Sequence, residues 1–78
     1  MFQILEVGDE VYLNIPEICR SMLSTKTKER LSEQYNTKFI IERIDEETGY
    51  IYLKDLIGNV PFNNNELIRA KSKKLSEQ

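Results

Sequence analysis

The sequence predicts a mainly β fold, a small five-stranded β-barrel with a helical segment between strands 1 and 2. Three observations carry that expectation. The 78 residues amount to one domain. Five stretches carry strand signals, and only residues 16–36 carry helical ones. Five short strands in so short a chain cannot hide both faces of a flat sheet, and curling the sheet on itself is the usual solution. Residues 1–70 read as this single domain and residues 71–78 as a polar, basic tail.

The first strand runs from Glu10 to Ile15. Val11, Leu13 and Ile15 alternate with Tyr12 and Asn14, the period of a half-buried strand. Gly8-Asp9 is a turn before it. Pro16 ends the ladder because it has no N–H to donate, and it suits the first position of a helix. Glu17 favours the positive end of the helix dipole. Ile18 and Met22, four apart, predict a short helix to about Leu23. Ser24, Thr25 and Thr27 are all suitable N-caps for a second helix. Lys28 to Tyr35 follows, with Leu31 and Tyr35 again four apart and Asn36 as terminator. The pattern leaves open whether 16–36 is one bent helix or two.

Thr37 to Ile44 is the strongest strand, rich in β-branched and aromatic residues. Its alternation is imperfect. Phe39 and Ile41 share one face, Ile40 and Ile44 the other, which a two-sided central strand or a bulge would explain. Asp45 to Gly49 is a hairpin loop, with Gly49 in the left-handed position. Tyr50 to Lys54 returns as a strand, Ile51 and Leu53 inward, Tyr50 and Tyr52 outward. Leu56 to Asn59 is a turn. Val60-Pro61-Phe62 is a short strand that Pro61 marks as an edge, open to pairing with another copy. Asn63 to Asn65 suits a 3₁₀ turn, and Leu67 to Ala70 closes the order as a strand.

Composition removes several chemistries. With no His and one Cys, neither a His general base, a His-ligated metal nor an internal disulfide can form. The sequence implies no cofactor and no metal. Its apolar runs are too short to span a membrane, and the start, MFQILEVGDE, lacks the pattern of a secretory signal. The expected compartment is therefore cytoplasmic. Cys19 lacks the His that would activate it, and it reads as packed or idle. Asp45, Glu46 and Glu47 lack the spacing of a calcium loop or of a paired-carboxylate site, and they read as a solvated loop. A pocket for a small molecule would take volume that a core this small can hardly spare. The expectation is a binding surface rather than an enzyme.

Two surfaces are candidates. Tyr12, Tyr50 and Tyr52 lie on the outer side of the strands if Val11, Leu13, Ile51 and Leu53 fill the core. Stiff, partly polar tyrosines suit protein recognition at low entropy cost, unless the helical segment packs over them. Leu56 and Ile57 sit at a turn tip, where apolar residues suggest either an interface or a cap on the end of the barrel. The second surface is basic: Lys26, Lys28 and Arg30 in the helical segment, and Arg69, Lys71, Lys73 and Lys74 at the C-terminal end. These residues could track a phosphate backbone, with Tyr50 and Tyr52 stacking on bases. The formal net charge of −2 weighs against that use.

The pieces Val7-Gly8-Asp9-Glu10-Val11, Phe39 to Ile44, Tyr50 to Leu53 and Phe62 to Ile68 together resemble the SH3-like small β-barrel superfamily. This is the bacterial and phage type that takes in KOW and Tudor-like barrels. The resemblance departs at Pro16 to Asn36, where such barrels carry a loop. It lacks the ALYDY-like aromatic signature and any Trp, so recognition of proline-rich peptides is not implied. What it implies is a non-enzymatic protein–protein interaction module, a regulator or inhibitor of a host protein in a phage, prophage or other mobile-element setting. The alternative is a KOW-type nucleic-acid-binding barrel. Either would be a monomer or a weak homodimer.

Overall fold

A computed structural model describes residues 3–70. The tail and its Lys71, Lys73 and Lys74 lie outside the described residues. The chain folds as an open antiparallel sheet of four strands. These are β1 (Glu10–Leu13), β2 (Phe39–Ile44), β3 (Ile51–Leu53) and β4 (Leu67–Arg69), in spatial order β3-β2-β1-β4. Two helices, α1 (Ile15–Cys19) and α2 (Thr25–Ser32), join β1 to β2, and a 3₁₀ turn (Asn64–Glu66) precedes β4. The class is therefore mixed α and β.

The expected closed barrel of five strands is wrong. β3 and β4 end the sheet on opposite sides, with no ladder between them. The expected strand at Val60–Phe62 is reduced to a single bridge, Ile51 opposite Phe62, held by two backbone hydrogen bonds of 2.8 and 2.9 Å. Pro61 has no N–H with which to extend it. The sheet also has no need to curl. Its inner face (Val11, Leu13, Phe39, Ile41, Ile51, Leu53 and Leu67) is covered by a second layer. Ile18 of α1, Leu31 of α2 and the loop residues Leu5, Val60 and Phe62 supply that layer.

The helical segment forms two helices. Pro16 stands in the first turn of α1 as expected. Ile18 is buried, but Met22 lies beyond the end of α1 and is fully exposed. Of the three possible caps it is Ser24 that serves, its Oγ accepting the Thr27 N–H at 3.2 Å. α2 begins three residues earlier than predicted and ends at Ser32, so Leu31 packs inward while Tyr35 stays in the turn outside. Eight residues make a marginal helix in water, and α2 buries only Leu31. Its cap should therefore matter: Ser24→Ala is expected to cost about 1 kcal/mol, read as a lower urea midpoint with an unchanged slope.

β2 contains the bulge that its pattern allowed. Ile41 faces Leu53 and Arg43 faces Tyr52, which leaves Glu42 as the extra residue. The bulge resets the alternation. Ile44 comes back to the inner side opposite Ile51 and packs against the core, so it does not share a face with Ile40. The β2–β3 loop closes as expected, with Gly49 at φ 81° and its N–H donating to the Asp45 carbonyl at 2.7 Å.

The residues before β1 brace the other end of β2. Gly8 N–H donates to the Ile41 carbonyl at 2.9 Å, and Ile41 N–H to the Asp9 carbonyl at 3.0 Å. Asp9 Oδ2 accepts the Glu6 N–H at 2.8 Å and lies 3.5 Å from the Arg69 guanidinium.

Candidate functional site

Strand alternation sends Val11, Leu13, Leu67, Ile51 and Leu53 inward and leaves a second set on the outer face. Register sets their lateral order. Tyr52 stands opposite Arg43, Ile40 opposite Glu10, and Tyr12 opposite Ile68. The four strands, about 4.8 Å apart, thus carry Tyr52, Ile40, Tyr12 and Ile68 from one edge of the sheet to the other. Tyr12 and Ile40 are diagonal neighbours across the β1–β2 ladder, within reach of each other's side chains. Ile40 is 42 % exposed and Ile68 47 %, while Tyr12 and Tyr52 are half-buried. The two helices bury Ile18 and Leu31 on the other side of the sheet.

Charges frame this face. The Arg43 guanidinium lies 3.9 Å from the centroid of the Tyr52 ring, a contact of about 0.5–1 kcal/mol at an exposed site. It places a cation over the ring. Lys38 and Glu10 approach to 3.7 Å. Near β4 the face runs into a shallow hollow of about 490 Å3, where Ile15, Pro16 and Tyr35 meet Ile68. Tyr35 is largely exposed, so the turn after α2 flanks the face.

The predicted protein-binding residues divide. Tyr12 and Tyr52 belong to this face. Tyr50 precedes β3, 38 % exposed, and adjoins it at the hairpin. Leu56 and Ile57 lie elsewhere, at a hollow of about 120 Å3 with Leu31, Phe39 and Arg30. There Leu56 packs against the core, whereas Ile57 is largely exposed.

The basic residues are dispersed. Lys26, Lys28 and Arg30 are spaced two apart on α2, a step of about 200° that prevents all three from sharing one side. Lys28 Nζ donates to the Cys19 carbonyl at 3.0 Å and ties the two helices together. Arg69 is paired with Asp9. Cys19 itself is exposed at the end of α1 rather than packed. In the hairpin, Asp45 Oδ1 accepts the Glu47 N–H at 2.8 Å, so that carboxylate braces its own turn.

Sequence reasoning missed Ile40, Ile68 and Arg43 as surface residues. The signal was present: Ile68 adjoins the inward Leu67, and Ile40 lies between the inward Phe39 and Ile41. A third feature had no strand-period signal. An open cleft of about 880 Å3 lies beside β4 and the 3₁₀ turn, lined by the carboxamides of Gln3, Asn14, Asn63, Asn64 and Asn65. Several of these amides hold the fold together. Asn14 Nδ2 donates to the Asn65 carbonyl at 3.1 Å, and Asn65 Nδ2 to Glu17 Oε1 at 3.0 Å.

These elements define a small mixed α/β domain with an open antiparallel sheet, helices on its inner side and a partly apolar outer face. Comparisons with models of protein families, with curated proteins and with solved structures find no match to the chain. No helix among the described residues is long and apolar enough to cross a membrane.

Proposed function

We propose that the chain is a non-enzymatic protein-binding module that docks a partner protein on the outer face of its sheet. The observation that carries this reading is the run of Tyr52, Ile40, Tyr12 and Ile68 across the four strands, with both isoleucines more than two-fifths exposed. Contiguous apolar surface rimmed by charge is a common mark of an interaction site. Tyr12 and Tyr52 offer large, stiff contact area, and Arg43, stacked on Tyr52, is of the residue type enriched at binding hot spots. Such a module works by occupying a surface of its partner, which suits a regulator or an inhibitor.

The test is a paired capture experiment. Wild-type protein and the Tyr52→Ala/Ile68→Ser double variant, both shown folded by far-UV circular dichroism, are immobilised and exposed to lysate. A protein retained by the wild type and released by the variant is expected. Equal retention on both would overturn the reading. Labelled single-stranded and duplex DNA and RNA provide the contrast. No binding is expected even at low salt, where electrostatic attraction is strongest. Tight binding that weakens steeply with salt would point instead to Lys26, Lys28, Arg30 and the basic C-terminal end.

A further inference from the structure

The outer edge of β4 is occupied by a side chain. Gln3 Oε1 accepts the Arg69 N–H at 3.3 Å, and Gln3 Nε2 donates to the Leu67 carbonyl. The same Nε2 also reaches the Asn64 carbonyl at 3.1 Å. In return, Asn64 Nδ2 donates to the Gln3 backbone carbonyl at 2.7 Å, which fixes the residue in place. The opposite edge of β4 belongs to β1. Ile68 stands opposite Tyr12, Ala70 N–H donates to the Glu10 carbonyl at 2.8 Å, and Asn14 N–H to the Glu66 carbonyl at 2.9 Å. Peptide groups alternate in direction along a strand, so those of Leu67 and Arg69 face outward. The Leu67 N–H is turned back to the Asn64 carbonyl. The Leu67 carbonyl, the Arg69 N–H and the Arg69 carbonyl remain, and Gln3 holds the first two. A carboxamide carries the donor and acceptor of a peptide unit, so Gln3 stands where a neighbouring strand would.

That vacant pattern is complementary to itself. Consider two copies of β4 running antiparallel about a two-fold axis beside Ile68. Ile68 faces Ile68 of the second copy as a non-hydrogen-bonded pair. The residues on either side then bond each other: the Arg69 N–H of each copy donates to the Leu67 carbonyl of the other. One patch serves both partners, as a two-fold interface requires. Leu67 falls opposite Arg69 of the second copy, so no like charges meet across the ladder. The two exposed Ile68 side chains come together on the outer face and join the two apolar faces into one.

We propose that the outer edge of β4 is a pairing site for a second copy of this chain, and that the Gln3 carboxamide keeps it closed. Removing that side chain opens the site. Sedimentation over a wide range of protein concentration tests this with the wild type, Gln3→Ala and Gln3→Met. The wild type is expected to stay monomeric. Gln3→Ala is expected to dimerise, its self-association strengthened by roughly tenfold or more, the equivalent of about one net hydrogen bond. Hydrogen exchange at the Arg69 amide locates the contact. It should be slow in the wild type at every concentration, and in Gln3→Ala fast when dilute and slow when concentrated. If Gln3→Ala does not fold, Gln3→Met takes its place, because its side chain has about the same length and forms neither the bond to the Leu67 carbonyl nor that from the Arg69 N–H. A folded variant that remains monomeric overturns the proposal. So does a dimer that leaves the Arg69 amide unprotected, or a wild type that dimerises as strongly as the variants.

Discussion

Phe62→Ala is expected to remove a large share of the domain's stability. The Phe62 side chain has no exposed surface and packs among the inward residues of the sheet. Truncating a buried phenylalanine costs about 3–5 kcal/mol through lost burial and the cavity left behind. At roughly 0.05–0.15 kcal/mol per residue, a chain of 78 residues holds roughly 4–12 kcal/mol in all. The loss is thus between a quarter of the total and all of it. The two backbone hydrogen bonds to Ile51 do not depend on the side chain, so Phe62→Leu, which restores much of the volume, should recover most of the stability. Urea denaturation followed by circular dichroism measures both. A midpoint for Phe62→Ala within a few tenths molar of wild type would contradict the central place given to this residue.

The second large effect concerns recognition. Once the partner is in hand, Tyr52→Ala combined with Ile68→Ala is expected to weaken its binding by about 2–4 kcal/mol, roughly 30- to 1,000-fold. Tyr52 contributes ring area and the platform for Arg43, and Ile68 contributes exposed apolar surface at the other side of the sheet. The fold should tolerate both changes, because neither side chain belongs to the buried core. Ile57→Ala is the control. Ile57 is 79 % exposed and lies beside α2, off the sheet face, so its loss should alter binding less than about threefold. Titration calorimetry of the three proteins decides the matter. A larger loss from Ile57→Ala than from the double variant would move the interface to the turn after β3.

Much of the local structure was legible in the sequence, because local rules decide it. Val11 and Leu13, Ile51 and Leu53 point inward as their period-2 spacing says. Gly49 takes the positive φ that its loop requires, and Asn64 to Glu66 turn as a 3₁₀ helix. The pairing of distant segments was not legible. Val60–Phe62 has strand composition, but whether it forms a ladder depends on what lies beside it and on the missing N–H of Pro61. The i, i+4 pairs Ile18–Met22 and Leu31–Tyr35 each half failed, because both helices end before the second member. The site was legible in the same degree. Tyr12 and Tyr52 followed from alternation. Ile40 and Ile68 read as ordinary strand hydrophobes until it was known which face the helices cover. The role of Gln3 rests on contacts across more than sixty positions of sequence, which no local pattern encodes.

The β1–β4 ladder has a consequence for the order in which the chain folds. β2 and β3 are neighbours joined by a short loop, and such hairpins close in microseconds. β1 meets β4 only across most of the domain, Val11 opposite Arg69. That pairing has to overcome the entropy of a long loop. During synthesis β1 emerges early and waits for β4. Until β4 arrives, one edge of β1 stays unpaired and the core lacks Leu67, so the nascent chain carries a sticky flank. On loop-closure grounds the slow step of folding is expected at the arrival of β4.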